Sequence, residues 1–349
     1  MTIILFIVVL LVCVLVHEWG HFFAARKSGM LVEEFGFGIP PKLWSWKRGE
    51  TTYSINALPI GGFVKIAGEN SENSTAPMER RFDHKPWYLK SVVLVAGVIC
   101  NFLLAVILFT AAYTLGMPGV TPNGTPTIVS VVSASPAEEA GLKAGDIVQS
   151  VFVDGKKVDT VTTEAIHTAI VLGSGPVIIN VAHDNELTAV SLMPKGDGDM
   201  RMVGLAIEPI GIVKLGLFEA IGRAWTQSVS MVHSIFATLG SLITGLFTGE
   251  GSTAGLVGPV GLARAVGNAA TFGITYLLAF VALISVNLAV LNIMPFPALD
   301  GGRLLVVWGE AITGRKLSPA ITGIVHGLGF LILIGLMIIL TIGDIKKAL

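Results

Sequence analysis

Apolar residues fall into long unbroken runs along this chain, and four of them predict helices able to cross a bilayer. Residues 3–16 carry no polar side chain. Continued as a helix to residue 25, this run reaches the roughly 20 residues that a hydrocarbon core demands, with His17, Glu18 and His21 then at membrane depth. Residues 92–116 and 321–342 are long enough by themselves, and residues 272–295 span with Asn287 and Asn292 near the end. The uncharged stretch 224–248 behaves differently. Trp225, Val229, Val232, Phe236, Leu239, Ile243 and Leu246 recur at spacings of four and three while Gln, Ser and Thr occupy the other faces, an amphipathic stripe. It predicts a helix lying in the interface or packed on the bundle rather than a fifth span.

Composition agrees with a membrane protein and removes other classes. Of 349 residues 52% are hydrophobic and only 13% charged, with a mean hydropathy of +0.75, whereas soluble domains carry about a quarter charged residues. The 23 Lys and Arg against 24 Asp and Glu leave no basic surface for a phosphate backbone, which excludes nucleic-acid binding. Cys13 and Cys100 sit inside apolar runs and read as packing residues rather than a disulfide framework. The first run lacks both N-terminal positive charge and a small-residue cleavage site, so a retained span is expected rather than a removable signal.

Orientation follows the basic residues. Arg26, Lys27, Lys42, Lys47, Arg48, Lys65, Arg80, Arg81, Lys85 and Lys90 make the region 26–90 cytoplasmic. Residues 117–217 hold six basic and eleven acidic residues and are expected outside, together with the N-terminus. Lys346 and Lys347 oppose this scheme weakly. The outer segment reads as an α+β domain, with β-rich runs at 127–132, 147–153 and 177–181 and a helix over 162–172. Within it, Ser135 to Val148 places Pro136 in the first turn of a short helix, Gly141 at its end and Gly145-Asp146 before a strand. These elements resemble a circularly permuted bacterial PDZ domain. The resemblance implies either a groove that adds a peptide as a strand or a module that excludes substrates by size.

The chemistry lies in His17-Glu18-Trp19-Gly20-His21. Helical positions i and i+4 share a face, so both imidazoles can ligate one metal while Glu18 reaches its water, the zinc-hydrolase pattern. Two histidines and a glutamate at membrane depth are costly unless they pair or coordinate. A third protein ligand would leave the fourth position for water. Asp300 is the leading candidate, ending Asn292 to Gly302, where Pro295 and Pro297 break the third span and free backbone that must be buried or line a cavity. His326, inside the fourth span, is the rival. Were 224–248 a true span, Asp300 would lie across the bilayer from the histidines, roughly 30 Å away.

Taken together, these motifs resemble the site-2 protease family of intramembrane zinc metalloproteases, and more closely its bacterial regulator of sigma-E protease branch. Further matching phrases are 35–38, 58–66, 96–102 and 255–264. The resemblance implies a polytopic α-helical protein of the bacterial inner membrane with four spans, a membrane-re-entrant β-hairpin and one PDZ-like domain. It implies Zn2+ held by His17, His21 and Asp300, Glu18 as general base, and single-span membrane proteins such as anti-sigma factors as substrates. The expected organisation is a first span at 1–25, the hairpin region at 26–90, a second span at 91–116 and the PDZ-like domain at 117–217. An amphipathic helix and loop follow at 218–271, a third span at 272–302, a loop at 303–320 and a fourth span with its tail at 321–349. Where enterobacterial members carry two PDZ domains this chain has room for one, and Val98 stands where a proline is common.

In residues 58–66 Gly61, Gly62, Phe63 and Val64 suit a hairpin. By the resemblance, such an edge beside the site would hold the substrate extended, which hydrolysis requires because a helix hides its carbonyls. Asn292, or else Asn287, would hold the substrate backbone. A non-hydrolytic metal-binding scaffold or a metal transporter is the alternative from another class. Transporters often show internal repeats, and none is visible here.

Overall fold

The computed structural model describes residues 2–69, 75–132, 135–183, 186–196, 201–248 and 258–346. Residues 255–257 of one matching phrase and Lys347 lie outside these, as do the side chains of Ile243 and Leu246. The chain divides into two compact units, Met1–Leu115 with Gly216–Leu349, and Gly116–Leu215.

The first unit begins with helix α1, Thr2–Lys27, which ends where Gly29 turns left-handed at φ +67°. Two long antiparallel strands follow, β1 (Val32–Arg48) and β2 (Thr51–Ile66). The turn joining them contains Gly49 at φ +65°. Each strand folds back on itself. Phe35 pairs with both Val64 and Tyr53, and Tyr53 pairs again with Trp46. At that level the sheet is four strands wide, with Val64 at one edge and Trp46 at the other. The expected hairpin within 58–66 is therefore corrected: these residues form the end of β2, and the hairpin partners are β1 and β2 as wholes. Helix α2, Trp87–Leu115, closes this half of the unit, stopped by Gly116 at φ +104°.

The second unit is α+β, as the strand periodicity predicts. It comprises β3 (Met117–Val131), α3 (Pro136–Glu139), β4 (Ile147–Val153), β5 (Lys156–Lys157), α4 (Thr163–Leu172), β6 (Val177–His183), β7 (Glu186–Leu192) and β8 (Leu205–Val213). The sheet order is β7-β6-β4-β3-β8, with β5 on β4. Ser135 caps α3 through its hydroxyl and Thr162 caps α4 likewise. Ile128, Ile166, Ile170, Ile179 and Ile207 are fully buried in its core, each contributing about 1.5–3 kcal/mol over exposure. Strand β3 starts ten residues earlier than its apolar pattern because Met117 to Val120 pair with Val213 to Ile210 as a two-stranded stem.

The chain then returns to the first unit with α5 (Leu217–Thr248), α6 (Pro259–Thr271), α7 (Ile274–Ile293), α8 (Asp300–Thr313) and α9 (Pro319–Lys346). Helices α1, α2, α7 and α9 are long and apolar enough to cross a membrane, and α5 is not among them. It packs against α2 and α7, and Trp225 of its apolar stripe meets the Phe102 ring of α2 edge to face. Ala220, Ala224 and Ser228 are fully buried while Trp225 and Phe236 are about half exposed. Lipid removes the hydrophobic drive between helices, so small residues that permit close approach make the contact. Two segments expected as loops hold helices, α6 in 218–271 and most of α8 in 303–320, and the third span ends at Ile293 rather than 302.

Helix α6 ties together two chain ends of this unit. Gly267 abuts Thr2 at the start of α1, and the N–H groups of Gly258 and Gly261 donate to Asp344 at the end of α9. Helix α7 leaves from there and finishes beside His17 and His21. Helices α1 and α7 thus start from the same end of the unit, and Asp300, seven residues past α7, meets the histidines in the second half of α1.

Candidate metal centre

Polar groups are scarce between these helices, and they converge. Spacing of four on α1 brings His17 and His21 to one face with their rings edge to face, centroids 4.7 Å apart. Both are buried. Nε2 of His17 lies 3.0 Å and Nε2 of His21 3.2 Å from Oδ2 of Asp300, and the two nitrogens are 3.1 Å apart. Among the described residues this is the one group of His, Cys, Asp or Glu whose ligand atoms could share a metal ion.

Asp300 arrives through a deliberate break in the chain. Pro295 and Pro297 prevent α7 from continuing, and Ala298 takes a positive φ of 78°. Its N–H donates to Nδ1 of His326 at 2.9 Å. The rival histidine thus supports the turn instead of joining the cluster. Helix α8 then starts at Asp300, and its first turn presses on the turn before it: a side chain on Gly301 would strike the carbonyls of Ile293 and Met294, and one on Gly302 that of Phe296. Two consecutive glycines are what let the aspartate reach the histidines.

A cavity of about 510 Å³ opens beside the cluster, lined by Glu18, Asn292 and residues 62–66 of β2 among others. Glu18 packs its Cγ against Gly62, where a methyl group would stand 3.2 Å away. Gly62, Phe63, Val64 and Asn292 border the cavity. Gly61, at φ +85°, is not among the lining residues, and Asn287 turns its amide to the Leu283 carbonyl of its own helix. Glu69 and Arg303 also line the cavity and pair at 2.7 Å. Burial pushes the Glu69 carboxyl above its ordinary range, partly offset by the Arg303 guanidinium.

Two residues on α2 lie inside the matching phrase 96–102, to which the sequence assigned no role at the site. Gly97 lies directly against both rings, and Asn101, fully buried, faces Nδ1 of His17 at 3.5 Å. Asn101 could have been found as an amide inside an apolar span. Gly97 carries no such signal.

The profile of peptidase family M50 matches residues 5–336. The chain belongs to peptidase family M50. Among its relatives, a Clostridium acetobutylicum protein named provisionally as a zinc metalloprotease is 34% identical over 96% of this chain and 94% of its own length. Zinc metalloprotease RasP of Shouchella clausii is 30% identical over 99% of both chains. The regulator of sigma-W protease RasP of Bacillus subtilis is 28% identical over 99% of this chain and 98% of its own. The M50 match spans both halves of the cluster, the histidine pair on α1 and Asp300 on α8.

Proposed function

We infer that this M50 member is an intramembrane zinc metalloprotease of the site-2 type, that His17, His21 and Asp300 hold its zinc, and that Glu18 is its general base. The observation that carries the reading is the convergence of two imidazole nitrogens and a carboxylate oxygen, from positions 283 residues apart, next to a cavity edged by a β-strand. Two nitrogens and one oxygen suit zinc, and three protein ligands are the number a catalytic site uses. When bound, zinc acidifies a water molecule and polarises a carbonyl. The Glu18 carboxylate accepts the water proton and returns it to the leaving amine.

The remaining parts serve the substrate. The edge of β2 at 62–66 offers backbone partners to an extended chain, and Asn292 binds its backbone. Strands β1 and β2 form the re-entrant element, and the apolar helices seat the enzyme in the bacterial inner membrane, with residues 26–90 cytoplasmic. Substrates are single-span membrane proteins. The sigma-W regulation named for the Bacillus relative favours anti-sigma factors among them. Purified enzyme in lipid vesicles should cleave a single-span reporter, stop when 1,10-phenanthroline strips the metal, and resume when zinc is restored. Cleavage undiminished in the chelator would overturn the metal mechanism.

The second unit is a PDZ-like module outside the membrane that acts by size. Its groove would lie between edge strand β8 and α4. Peptide capture by strand addition needs free N–H and C=O groups along that edge. Thr163 Oγ1 already accepts from the Ile207 N–H at 2.6 Å and donates to its carbonyl at 2.8 Å. Strand alternation then makes Leu205 and Pro209 the next outward residues, and Pro209 has no N–H. An edge already engaged at Ile207 and interrupted at Pro209 is a poor template for a strand. Replacing residues 125–208 with a short flexible linker keeps the two-stranded stem. This variant should cleave a pre-trimmed substrate at the wild-type rate and a substrate with a bulky outer domain several-fold faster. Slower cleavage of the trimmed substrate would instead support capture.

A further inference from the structure

We propose that Asn101 is a positioning residue that fixes His17 for zinc by accepting a hydrogen bond from its Nδ1–H through the side-chain oxygen. The inference rests on His17, His21 and Asp300 holding the metal. Both Nε2 atoms point at Asp300, so each ring turns Nδ1 away from the ligand cluster. His21 is complete on that side: its Nδ1 lies 2.8 Å from the Val93 carbonyl, an acceptor that requires the proton to be on Nδ1. His17 has the amide of Asn101 in the same place, at 3.5 Å.

The amide is built in as a fixture. Asn101 is fully buried and lines the cavity. Its backbone carbonyl accepts from Ser285 Oγ at 2.8 Å, which clamps α2 to α7 at this level. Its Nδ2 faces His17, while its Oδ1 is buried with no hydrogen-bond partner. The two amide atoms exchange places by a half-turn about χ2, and their assignment follows the surrounding network. One amide atom is engaged in either orientation, so the ring decides which. A neutral imidazole that offers Nε2 to a metal carries its proton on Nδ1 and needs an acceptor there, and only Oδ1 can serve. Such outer hydrogen bonds fix ring orientation, raise ligand basicity and are worth about 10–100-fold in metal affinity.

The test measures zinc affinity by chelator competition, and the visible spectrum of the cobalt-loaded protein, for the purified full chain and the variants Asn101→Val, Asn101→Asp and His17→Ala. Asn101→Val should weaken zinc by about 10–100-fold. Asn101→Asp, which keeps an acceptor, should bind zinc within a few-fold of wild type and shift the cobalt bands. A merely structural amide predicts otherwise: Asn101→Val would bind as wild type, or Asn101→Asp would be as weak as Asn101→Val, and either result overturns the proposal. Should the valine variant fail to accumulate, the aspartate variant decides alone, because zinc binding weakened tenfold or more there removes the acceptor role. Less than one zinc in the wild type, or undiminished zinc in His17→Ala, would refute the ligand reading itself. Wild-type stoichiometry with zinc loss in His17→Ala confines a failure to Asn101.

Discussion

Replacing Glu18 with Gln should reduce cleavage of a single-span substrate by about 10²- to 10⁴-fold, the range general acid–base catalysis contributes, while one zinc per chain is retained. Glutamine has the shape of glutamate, so the contact with Gly62 is kept. Its amide nitrogen cannot take the water proton. Glu18 lies outside the ligand cluster of His17, His21 and Asp300, so metal content should not respond. Single-turnover cleavage in vesicles and metal analysis of the same preparation give the two readouts. Undiminished cleavage would remove Glu18 from the chemistry. Loss of zinc would make it a ligand. A metal-binding scaffold or transporter predicts that no wild-type cleavage exists to be lost.

Local patterns carried far more of this architecture than distant ones did. The four apolar runs and the amphipathic 224–248 stretch are visible because helix periodicity and bilayer thickness act on neighbouring residues. The histidine pair is legible for the same reason, since i and i+4 are fixed by one helix. Asp300 was reachable only through the broken-helix argument, because nothing local says which polar group meets a histidine 283 residues away. Helices α6 and α8 escaped notice. Their hold on the unit is tertiary, through Asp344 on the α6 N-terminus and through Gly301 and Gly302 under the carbonyls of Ile293, Met294 and Phe296. The sheet was misjudged for a related cause. The apparent turn at Gly61 and Gly62 is a bend within β2, and its pairing with residues 34–37 is set by register over some thirty residues.

Close approach explains the least legible part of the site, and it leads to a sharp expectation for Gly97→Ala. A methyl group there would stand 2.5 Å from Nε2 of His21 and 2.7 Å from Cε1 of His17, inside van der Waals contact with both rings. Helix α2 itself would accept alanine readily, since alanine is about 1 kcal/mol better than glycine in a helix interior. The protein should therefore insert and fold as wild type. The imidazoles must give way instead, and overpacking of this kind costs about 1–3 kcal/mol. Zinc affinity should fall by about 5- to 150-fold, with cleavage at limiting zinc falling in proportion and excess zinc restoring part of it. Gly309→Ala is the control: it sits on α8 with nothing within 4 Å of the added methyl, so affinity and rate should be unchanged. If Gly97→Ala binds zinc as tightly as wild type, the rings do not lie where α2 bounds them, and the cluster geometry described above is wrong.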